Sequence, residues 1–122
     1  MIKEIYTVQI SNARAAHAEG LTVYDITVKT GDPIFAPTWQ MVMDYKSGKL
    51  SEAAYESEYR EMMHNSMRRF PHRWDHLMEH ERLALACYCR PGHFCHRRIL
   101  KEMLIEREGR KGEEVLDMGE VT

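Results

Sequence analysis

The sequence predicts an α/β fold with one small, mostly parallel sheet and a helical insertion between the second and third strands. Two observations carry this prediction: three short β-rich runs are spread along the chain, and segments of helical periodicity separate or follow them. Strands that alternate with helices are typical of layered α/β domains. At 122 residues, the chain has the length of one domain with one core. We therefore interpret residues 1–122 as a single domain. Its residues 109–122 form a charged tail, for which a short terminal strand is the alternative prediction.

Three runs have the composition of β-strands. The first spans 2–10, alternates in polarity and is rich in β-branched residues. The second spans 21–28, and a short alanine-rich helix over 13–18, closed by Gly20, separates it from the first. The third run, 83–89, is almost continuously apolar, as expected of a strand that is buried on both faces.

The segment between the second and third strands predicts a block of helices. The sequence Gly31-Asp32-Pro33 ends the second strand with strong turn chemistry. Pro37 marks the start of a first helix, and Ser51 is the predicted N-cap of a second. Apolar residues at helical spacing extend that second helix over 55–70, and Pro71 then breaks it and begins a further helical piece.

The junction between the third strand and the last helix is the most informative stretch. Residues 87–98 contain all three cysteines of the chain, two histidines and three arginines. Pro91-Gly92 predicts a turn, and a helix then runs from Cys95 to residue 107 or close to it. A helix that begins there presents unpaired N–H groups and the positive end of its dipole to the carboxyl end of the strand. That arrangement suits an anion, a thiolate or a metal ion.

Composition limits the partners that we expect. A formal net charge of −2 does not favour binding to nucleic acid, although a local basic patch leaves that partner open. No apolar run approaches about 20 residues, so we expect no membrane partner. An odd number of clustered cysteines is not a disulfide framework and predicts a reducing, cytoplasmic setting. The sequence leaves open whether the chain forms a homo-oligomer.

The first interpretation of the junction is a pocket for a small phosphorylated, nucleotide-like ligand. Helix N–H groups would bind the anion, Arg97 or Arg98 would clamp it, and His96 would act as an acid or base. The alternative for the two arginines is a solvated helix face. Ligands of parallel sheets bind beyond the carboxyl ends of the strands, so residues after the first two strands join the prediction. These are Asn12, Arg14, Asp25 and Asp32, with Tyr6, Phe35 or Trp39 to stack on a base.

Two further interpretations use the cysteines. Zinc accepts donors of the types present, but the adjacent pair Cys95-His96 departs from the usual spacing of zinc ligands. We therefore predict no cofactor and keep zinc as the alternative, with Cys87, Cys89, Cys95 and His96 as its ligands. The last interpretation makes Cys95 a nucleophile, because a thiol at a helix N-terminus beside His96 has a lowered pKa. In the predicted ligand pocket Cys87 lies beneath the ligand, and the alternative for this residue is a buried small hydrophobic side chain.

The junction resembles the signature of family 488 of the domains of unknown function, DUF488. The resemblance lies in residues 87–97 after an apolar strand and extends to Ile5-Tyr6-Thr7 and to a middle block from Ala36 to Trp74. It covers most of the chain up to Leu104. Within the family, the chain resembles the short phage and bacterial members. It implies a single Rossmann-like domain of three layers with a pocket at the junction. The residues that carry over are Cys87, Cys95, His96 and Arg97.

Two functions from different classes fit such a pocket. One is an enzyme that acts on a nucleotide or a nucleic-acid component, with His96 and Cys95 as the catalytic residues. The other is a non-catalytic protein that sequesters a nucleotide signal, as a small anti-defence protein would. The residues alone leave both open.

Overall fold

Four parallel strands of the described residues form the sheet. The computed structural model describes residues 3–90 and 92–122, so Ile2, with which the predicted first strand begins, and Pro91 of the predicted turn lie outside the described residues. Neighbouring strands are parallel throughout, in the order β2-β3-β1-β4. This confirms the α/β class and the parallel sheet. The strands are β1 (Lys3–Gln9), β2 (Thr22–Asp25), β3 (Arg82–Cys87) and β4 (Val115–Val121).

In the described part of the chain, five helices connect these strands. A 3-10 turn over Ile10–Asn12 and helix α1 (Ala13–Ala18) lie between β1 and β2. The predicted insertion between β2 and β3 is helical, and α5 (His96–Arg110) leads from β3 to β4. None of the helices in the described residues is both long and apolar enough to cross a bilayer. The insertion consists of α2 (Trp39–Lys46), α3 (Glu52–Arg69) and α4 (Pro71–Leu77).

Helices cover both faces of the sheet, as a three-layer domain requires. Alternate strand residues point to opposite faces. Ile5 and Leu83 belong to the larger core, which the apolar residues of α2 to α5 complete. Val8 and Ala84 belong to a smaller core on the face of α1. The β1–β2 connection differs from the two later connections in both direction and face, so all three have the same hand.

Local signals place the helix starts. Ser51 Oγ accepts a hydrogen bond from the Ala54 N–H at 3.1 Å, which confirms the predicted N-cap. Pro71 is the first residue of α4, where its missing N–H costs nothing. The helix predicted to start at Pro37 begins two residues later, because the Thr38 side chain caps it.

Strand β2 is shorter than predicted. The sequence predicts a strand through residue 28, whereas β2 ends at Asp25. The Asp25 carboxylate accepts hydrogen bonds from the Thr27 N–H at 2.9 Å and from Thr30 Oγ1 at 2.5 Å, so side-chain turn chemistry replaces the strand ladder. Gly31 returns to this turn so closely that a Cβ there would lie 2.3 Å from the Thr27 nitrogen. The turn therefore requires glycine at that position.

Helices α3 and α4 hold the loop that follows this turn. The Tyr59 hydroxyl donates to the Phe35 carbonyl at 2.6 Å, and Ser66 Oγ donates to the Ile34 carbonyl at 2.9 Å. Ser66 in turn accepts from the indole N–H of the fully buried Trp74 at 3.0 Å. These bonds satisfy carbonyls that packing would otherwise leave unpaired. The loop after β2 is thereby fixed beside the carboxyl end of β3.

Candidate functional site

Three cysteines meet at the carboxyl end of β3, and we call them the cysteine cluster. Cys87 is the last residue of β3 and Cys95 is the N-cap of α5, so the strand and the helix bring two buried sulfurs together. Their Sγ atoms are 2.6 Å apart. The Sγ of Cys89 lies within 4.8 Å of both, and this residue is partly exposed. Cys89 is therefore the sulfur of the cluster that is most open to solvent.

Arg97 holds the cluster from one side. Its Nη1 lies 2.6 Å from Cys87 Sγ and donates to the Cys89 carbonyl at 3.0 Å. Its Nη2 donates to the Arg90 carbonyl, and its Nε and Nη2 form two bonds to the Glu120 carboxylate at 3.1 and 3.2 Å. A guanidinium has five N–H donors, and all five are engaged. Since its side chain is only 3% exposed, Arg97 does not lie on a solvated helix face.

His96 is a buried, neutral base beside the cluster. Its Nε2 lies 2.7 Å from the Ile26 carbonyl, which can only accept, so this nitrogen carries the proton. The Nδ1 atom is then the free acceptor, 3.5 Å from Cys95 Sγ. Burial lowers the pKa of His96 to about 4. At neutral pH the ring is therefore neutral, with Nδ1 as a hydrogen-bond acceptor toward Cys95, whereas an imidazolium donor is absent.

The surroundings stabilise one thiolate in the cluster. Hydrogen bonds from Cys87 and Cys95, with the charge of Arg97, lower the pKa of the Cys89 thiol to about 2. The bond to Cys89 raises the pKa of Cys87 to about 11, and bonds to the other two sulfurs raise the pKa of Cys95. Because Arg97 touches Cys87 rather than Cys89, we assign the single negative charge to the cluster as a whole. A thiolate is the reactive form of cysteine.

Tyr88 ties the loop after β3 to the loop after β2. Its hydroxyl lies 3.2 Å from Thr30 Oγ1, which donates to the Asp25 carboxylate. Burial opposes the ionisation of Asp25, but hydrogen bonds from Thr30 and Thr27 outweigh it and lower the pKa of this carboxyl. The Asp25 carboxylate is thus hydrogen-bonded within its own loop. The contact between Tyr88 and Thr30 joins the two loops.

A pocket of about 660 Å³ opens above the carboxyl ends of β2 and β3. We call it the aromatic pocket, because five aromatic side chains line it. Lys29, Lys46 and Arg90 also line it, and no carboxylate among the described residues does. The cysteine cluster and His96 face the same space, so a ligand in the pocket would reach the sulfurs. The five aromatic residues are Trp39, Tyr45, Tyr55, Tyr88 and Phe94.

Part of this aromatic surface is packed and part is open. Phe94 stacks on Tyr45 with ring centroids 5.3 Å apart and meets Tyr55 edge-on. Trp39 and Tyr88 are 50% and 52% exposed, and the Lys29 ammonium lies 5.5 Å from the centre of the Trp39 ring. The packed rings shape the wall, and the exposed rings leave apolar faces available at its rim.

A second cavity, of about 450 Å³, adjoins the first, with His93 and Phe94 in the walls of both, and we call it the polar cavity. Cys95 lines both cavities. Both acidic and basic side chains line the polar cavity, and most of them form salt bridges. Arg98 pairs with Glu56 at 3.5 Å and with Glu102 at 3.2 Å, while Arg97 pairs with Glu120.

The sequence of this site belongs to a known family. Residues 5–108 match the family model DUF488-N3a, which is described as the active DUF488-N3 subclade. The chain belongs to the DUF488 family. The resemblance predicted from the Cys-His-Arg junction is confirmed, while β4 and Glu120 lie beyond the matched residues. The DUF488 chain has no match among curated proteins and none among solved structures.

The DUF488 fold brings together only part of the predicted site. Cys87, Cys95 and His96 meet at the cluster, whereas Asn12 and Arg14, in the turn after β1 and in α1, line neither cavity in the described part of the chain. Asp32 also lines neither. Its carboxylate accepts hydrogen bonds from the Tyr24 hydroxyl and from the Ile34 N–H and pairs with Arg73.

The three aromatic residues predicted to stack on a base have different positions. Phe35 is fully buried in the larger core, between Tyr24 and Trp74. The Tyr6 hydroxyl donates to Glu4, away from both cavities. Trp39 alone of the three lines the aromatic pocket.

Several residues of the site were not predicted. Glu120 is one, because it lies in the charged tail and no local motif marks it as the partner of Arg97. Tyr45 and Lys46 belong to the helix that the sequence predicts after Pro37, and no ligand role was predicted for either. A signal was present for the tyrosine, since Trp39, Val42 and Tyr45 recur every three residues and share one face of α2, the face that lines the pocket.

The three cysteines of this DUF488 domain lie close enough to hold a metal ion. Thiolates and the His96 Nδ1 atom are donors that zinc prefers. In a tetrahedral site with Zn–S bonds of about 2.3 Å, two sulfurs lie about 3.8 Å apart. Because Cys87 and Cys95 are 2.6 Å apart, zinc would require these sulfurs to separate by about 1 Å.

Proposed function

We propose that this DUF488 domain binds a small phosphorylated, nucleotide-like ligand in the aromatic pocket and acts on it with the cysteine cluster. One observation carries the proposal: the pocket combines aromatic walls and cations above a thiolate, and none of the described residues that line it is a carboxylate. A nucleotide needs a flat apolar surface for its base and positive charge for its phosphates. The aromatic pocket offers both within one space.

The charge of the pocket favours an anion. Lys29, Lys46 and Arg90 line it, and within residues 3–90 and 92–122 no salt bridge engages them. A cation without a carboxylate partner keeps its Coulomb attraction for an incoming ligand. Three such cations around one pocket match the two to three negative charges of a phosphate group or a short phosphate chain.

The size and the walls of the pocket favour an aromatic base. Its volume of about 660 Å³ falls within the roughly 300–1,000 Å³ that is usual for small-molecule sites. The exposed rings of Trp39 and Tyr88 offer faces for stacking, which contributes about 1–3 kcal/mol per base. Each ring tolerates any base, so the walls predict a class of ligand rather than one nucleotide.

The cysteine cluster supplies the reactive group for the proposed step. The thiolate would form a bond to an electrophilic carbon or phosphorus of the ligand, and the leaving group would depart with the electrons of the broken bond. Water would then attack the same atom and expel the thiolate, while His96 Nδ1 accepts the proton of that water. Arg97 stabilises the thiolate, and Glu120 holds Arg97 in place, so both act as positioning residues.

Isothermal titration calorimetry tests the binding step. The titrants are nucleoside monophosphates and triphosphates, with unphosphorylated nucleosides and inorganic phosphate as the two partial ligands. We expect a phosphorylated nucleotide to bind more tightly than either partial ligand, because only the nucleotide engages both the rings and the cations. Equal affinity for a nucleoside and its phosphate, or no binding of any titrant, would contradict the proposal.

A matched pair of variants localises the ligand. Trp39→Ala removes a half-exposed ring from the pocket and should weaken nucleotide binding about tenfold. Phe70→Ala removes a ring of similar exposure between α3 and α4, outside the pocket, and should leave the affinity unchanged. If both variants lose the same affinity, the ligand does not stack in the aromatic pocket.

Product analysis separates an enzyme from a sequestering protein. Incubation of the wild-type chain with the tightest ligand should yield a changed product, and Cys89→Ser should bind the ligand while its turnover falls. Recovery of the ligand unchanged from the wild-type chain would establish sequestration, the alternative that needs no thiolate.

Zinc binding is the second candidate function, and the proximity of the three sulfurs favours it. Native mass spectrometry of the freshly purified chain decides it, since one bound zinc ion adds a defined mass that a chelator removes. A bound zinc that disappears in Cys89→Ser would assign the cluster to the metal. A metal-free chain that binds nucleotide would leave the sulfurs to the first proposal.

A further inference from the structure

We infer that the cysteine cluster is a peroxide-sensitive redox site, in which Cys89 takes the first oxidation and Cys87 and Cys95 close a reversible disulfide. The ligand here is an oxidant of the hydroperoxide class. The inference goes beyond ligand binding and does not depend on it, because the chemistry needs only the three sulfurs and a peroxide.

The spacing of the two buried sulfurs favours a disulfide. Cys87 Sγ and Cys95 Sγ are 2.6 Å apart, about 0.5 Å more than the roughly 2.05 Å of a disulfide bond. The same pair is about 1 Å too close for a tetrahedral zinc site with its sulfurs about 3.8 Å apart. Closing the disulfide therefore needs a smaller movement than binding a metal.

The exposure of the three sulfurs sets the order of events. Cys87 is 1% exposed and Cys95 is 5% exposed, whereas Cys89 is partly exposed and lines the aromatic pocket. A small oxidant that enters the pocket thus meets Cys89 first. The two thiols that resolve the oxidised sulfur are already beside it, since all three sulfurs lie within 4.8 Å of one another.

The first step is the oxidation of Cys89 by the peroxide. The Cys89 thiolate attacks one oxygen of hydrogen peroxide, the O–O bond breaks, and the products are a cysteine sulfenic acid and hydroxide. The sulfur loses two electrons and the peroxide gains them. Arg97 places a positive charge beside the cluster, since its Nη1 lies 2.6 Å from Cys87 Sγ and donates to the Cys89 carbonyl at 3.0 Å.

The next two steps move the oxidation to the buried pair. The Cys95 thiol attacks the Cys89 sulfur, expels water and forms a Cys89–Cys95 disulfide. The Cys87 thiol then attacks the Cys95 sulfur, gives up its proton and releases the Cys89 thiolate. No further electrons leave the protein, so one peroxide yields one Cys87–Cys95 disulfide and two waters once the hydroxide takes that proton. A dithiol reductant such as dithiothreitol restores the three thiols by exchange.

Mass spectrometry of the chelator-treated wild-type chain tests the disulfide. Equimolar hydrogen peroxide should lower the intact mass by two hydrogens, and dithiothreitol should restore it. Trypsin leaves all three cysteines in one peptide, 83–97, because Arg90 is followed by proline. Chymotrypsin cuts after Tyr88 and after Phe94 and so separates the three cysteines.

The digest distinguishes every outcome. A cross-link between the Cys87 peptide and the Cys95 peptide is the expected result. A final cross-link that includes Cys89, a link between two chains, or added oxygen without loss of hydrogen would overturn the inferred pairing. These readouts need no nucleotide, so their failure is distinct from a failure of ligand binding.

Two variants test the order of events. Cys89→Ser keeps the buried pair but removes the exposed sulfur, and the Cys87–Cys95 disulfide should form at least about tenfold more slowly. An unchanged rate would show that peroxide reaches the buried pair directly and would overturn the role of Cys89. Cys87→Ser should stop at a Cys89–Cys95 disulfide, and even if this variant fails to fold, Cys89→Ser still tests the inference.

Discussion

The aromatic pocket and the polar cavity share His93, Phe94 and Cys95 in their walls, yet their charges are organised in opposite ways. In the polar cavity, Arg97 and Arg98 pair with carboxylates of β4, α3 and α5. In the aromatic pocket, Lys29 and Lys46 have no carboxylate within salt-bridge distance among the described residues.

This difference separates cations that hold the fold from cations that are free for a ligand. An ion pair uses its charge within the protein, so removing one partner of a buried pair leaves the other without compensation. An unpaired cation at a pocket contributes little to the fold and keeps its attraction for an anion. Arg97 and Arg98 add a second lesson, because these neighbours in sequence differ from 3% to 50% in side-chain exposure.

The largest expected effect comes from Arg97. Arg97→Ala leaves the Glu120 carboxylate and two loop carbonyls without their donor, so we expect the free energy of unfolding to fall by about 3–5 kcal/mol. The exposed Arg98→Ala should change it by less than about 0.5 kcal/mol. Urea denaturation of the three chains measures the difference. Equal effects of the two substitutions would break the distinction between the buried and the exposed arginine.

The next effect is the pH dependence that His96 confers on stability. Its pKa is about 4 in the folded chain and about 6.5 in the unfolded chain, so the unfolded state binds a proton first as the pH falls. The contribution of the neutral His96 to the free energy of unfolding is complete above pH 6.5. It is lost progressively between about pH 6.5 and 4, by up to about 3 kcal/mol. His96→Gln should flatten this part of the profile, and the exposed His64→Gln should not.

Thermal unfolding from pH 8 to 4 measures that profile. The result sharpens the comparison of the cavities, because a neutral His96 adds no cation to the aromatic pocket at neutral pH. A wild-type profile that is flat down to pH 5 would mean that His96 titrates alike in the folded and unfolded chains, and the assignment of a buried ring with a lowered pKa would be wrong.

The smallest expected effect distinguishes the two cavities as sites for an anion. Lys46→Ala should weaken nucleotide binding by about fivefold, in line with about 1 kcal/mol for a single charge near the surface. Arg98→Ala should leave the affinity unchanged, because Arg98 is committed to Glu56 and Glu102. Calorimetry at two salt concentrations measures both variants. A larger loss for Arg98→Ala would place the phosphates in the polar cavity instead.

The fold was predictable to a large extent because its signals are local. Alternation and apolar runs mark β1 and β3, while Ser51 and Pro71 mark helix starts. The end of β2 was not predictable in the same way. The hydrogen bonds of Asp25 with Thr27 and Thr30 end the strand early, and an apolar pattern that continues to residue 28 hides them.

The site was predictable only where its residues are neighbours in sequence. The junction of β3 and α5 places Cys87, Cys95 and His96 together, because a strand, a short loop and a helix return the chain to the same point. The ligand roles predicted for Asn12, Arg14 and Asp32 depend on how separate loops face one another, which local pattern does not specify. Asp32 faces Arg73, 41 residues away, rather than either cavity.

The sequence by itself determined the α/β class, the helical insertion and the cysteine-histidine-arginine junction, since periodicity, caps and turn residues act over a few positions. Only the tertiary structure decided what these residues do together. It paired Arg97 with Glu120 across 23 residues and assembled the aromatic pocket from α2, α3 and two loops. Such contacts depend on which surfaces pack against each other, and packing is a property of the whole chain rather than of any segment.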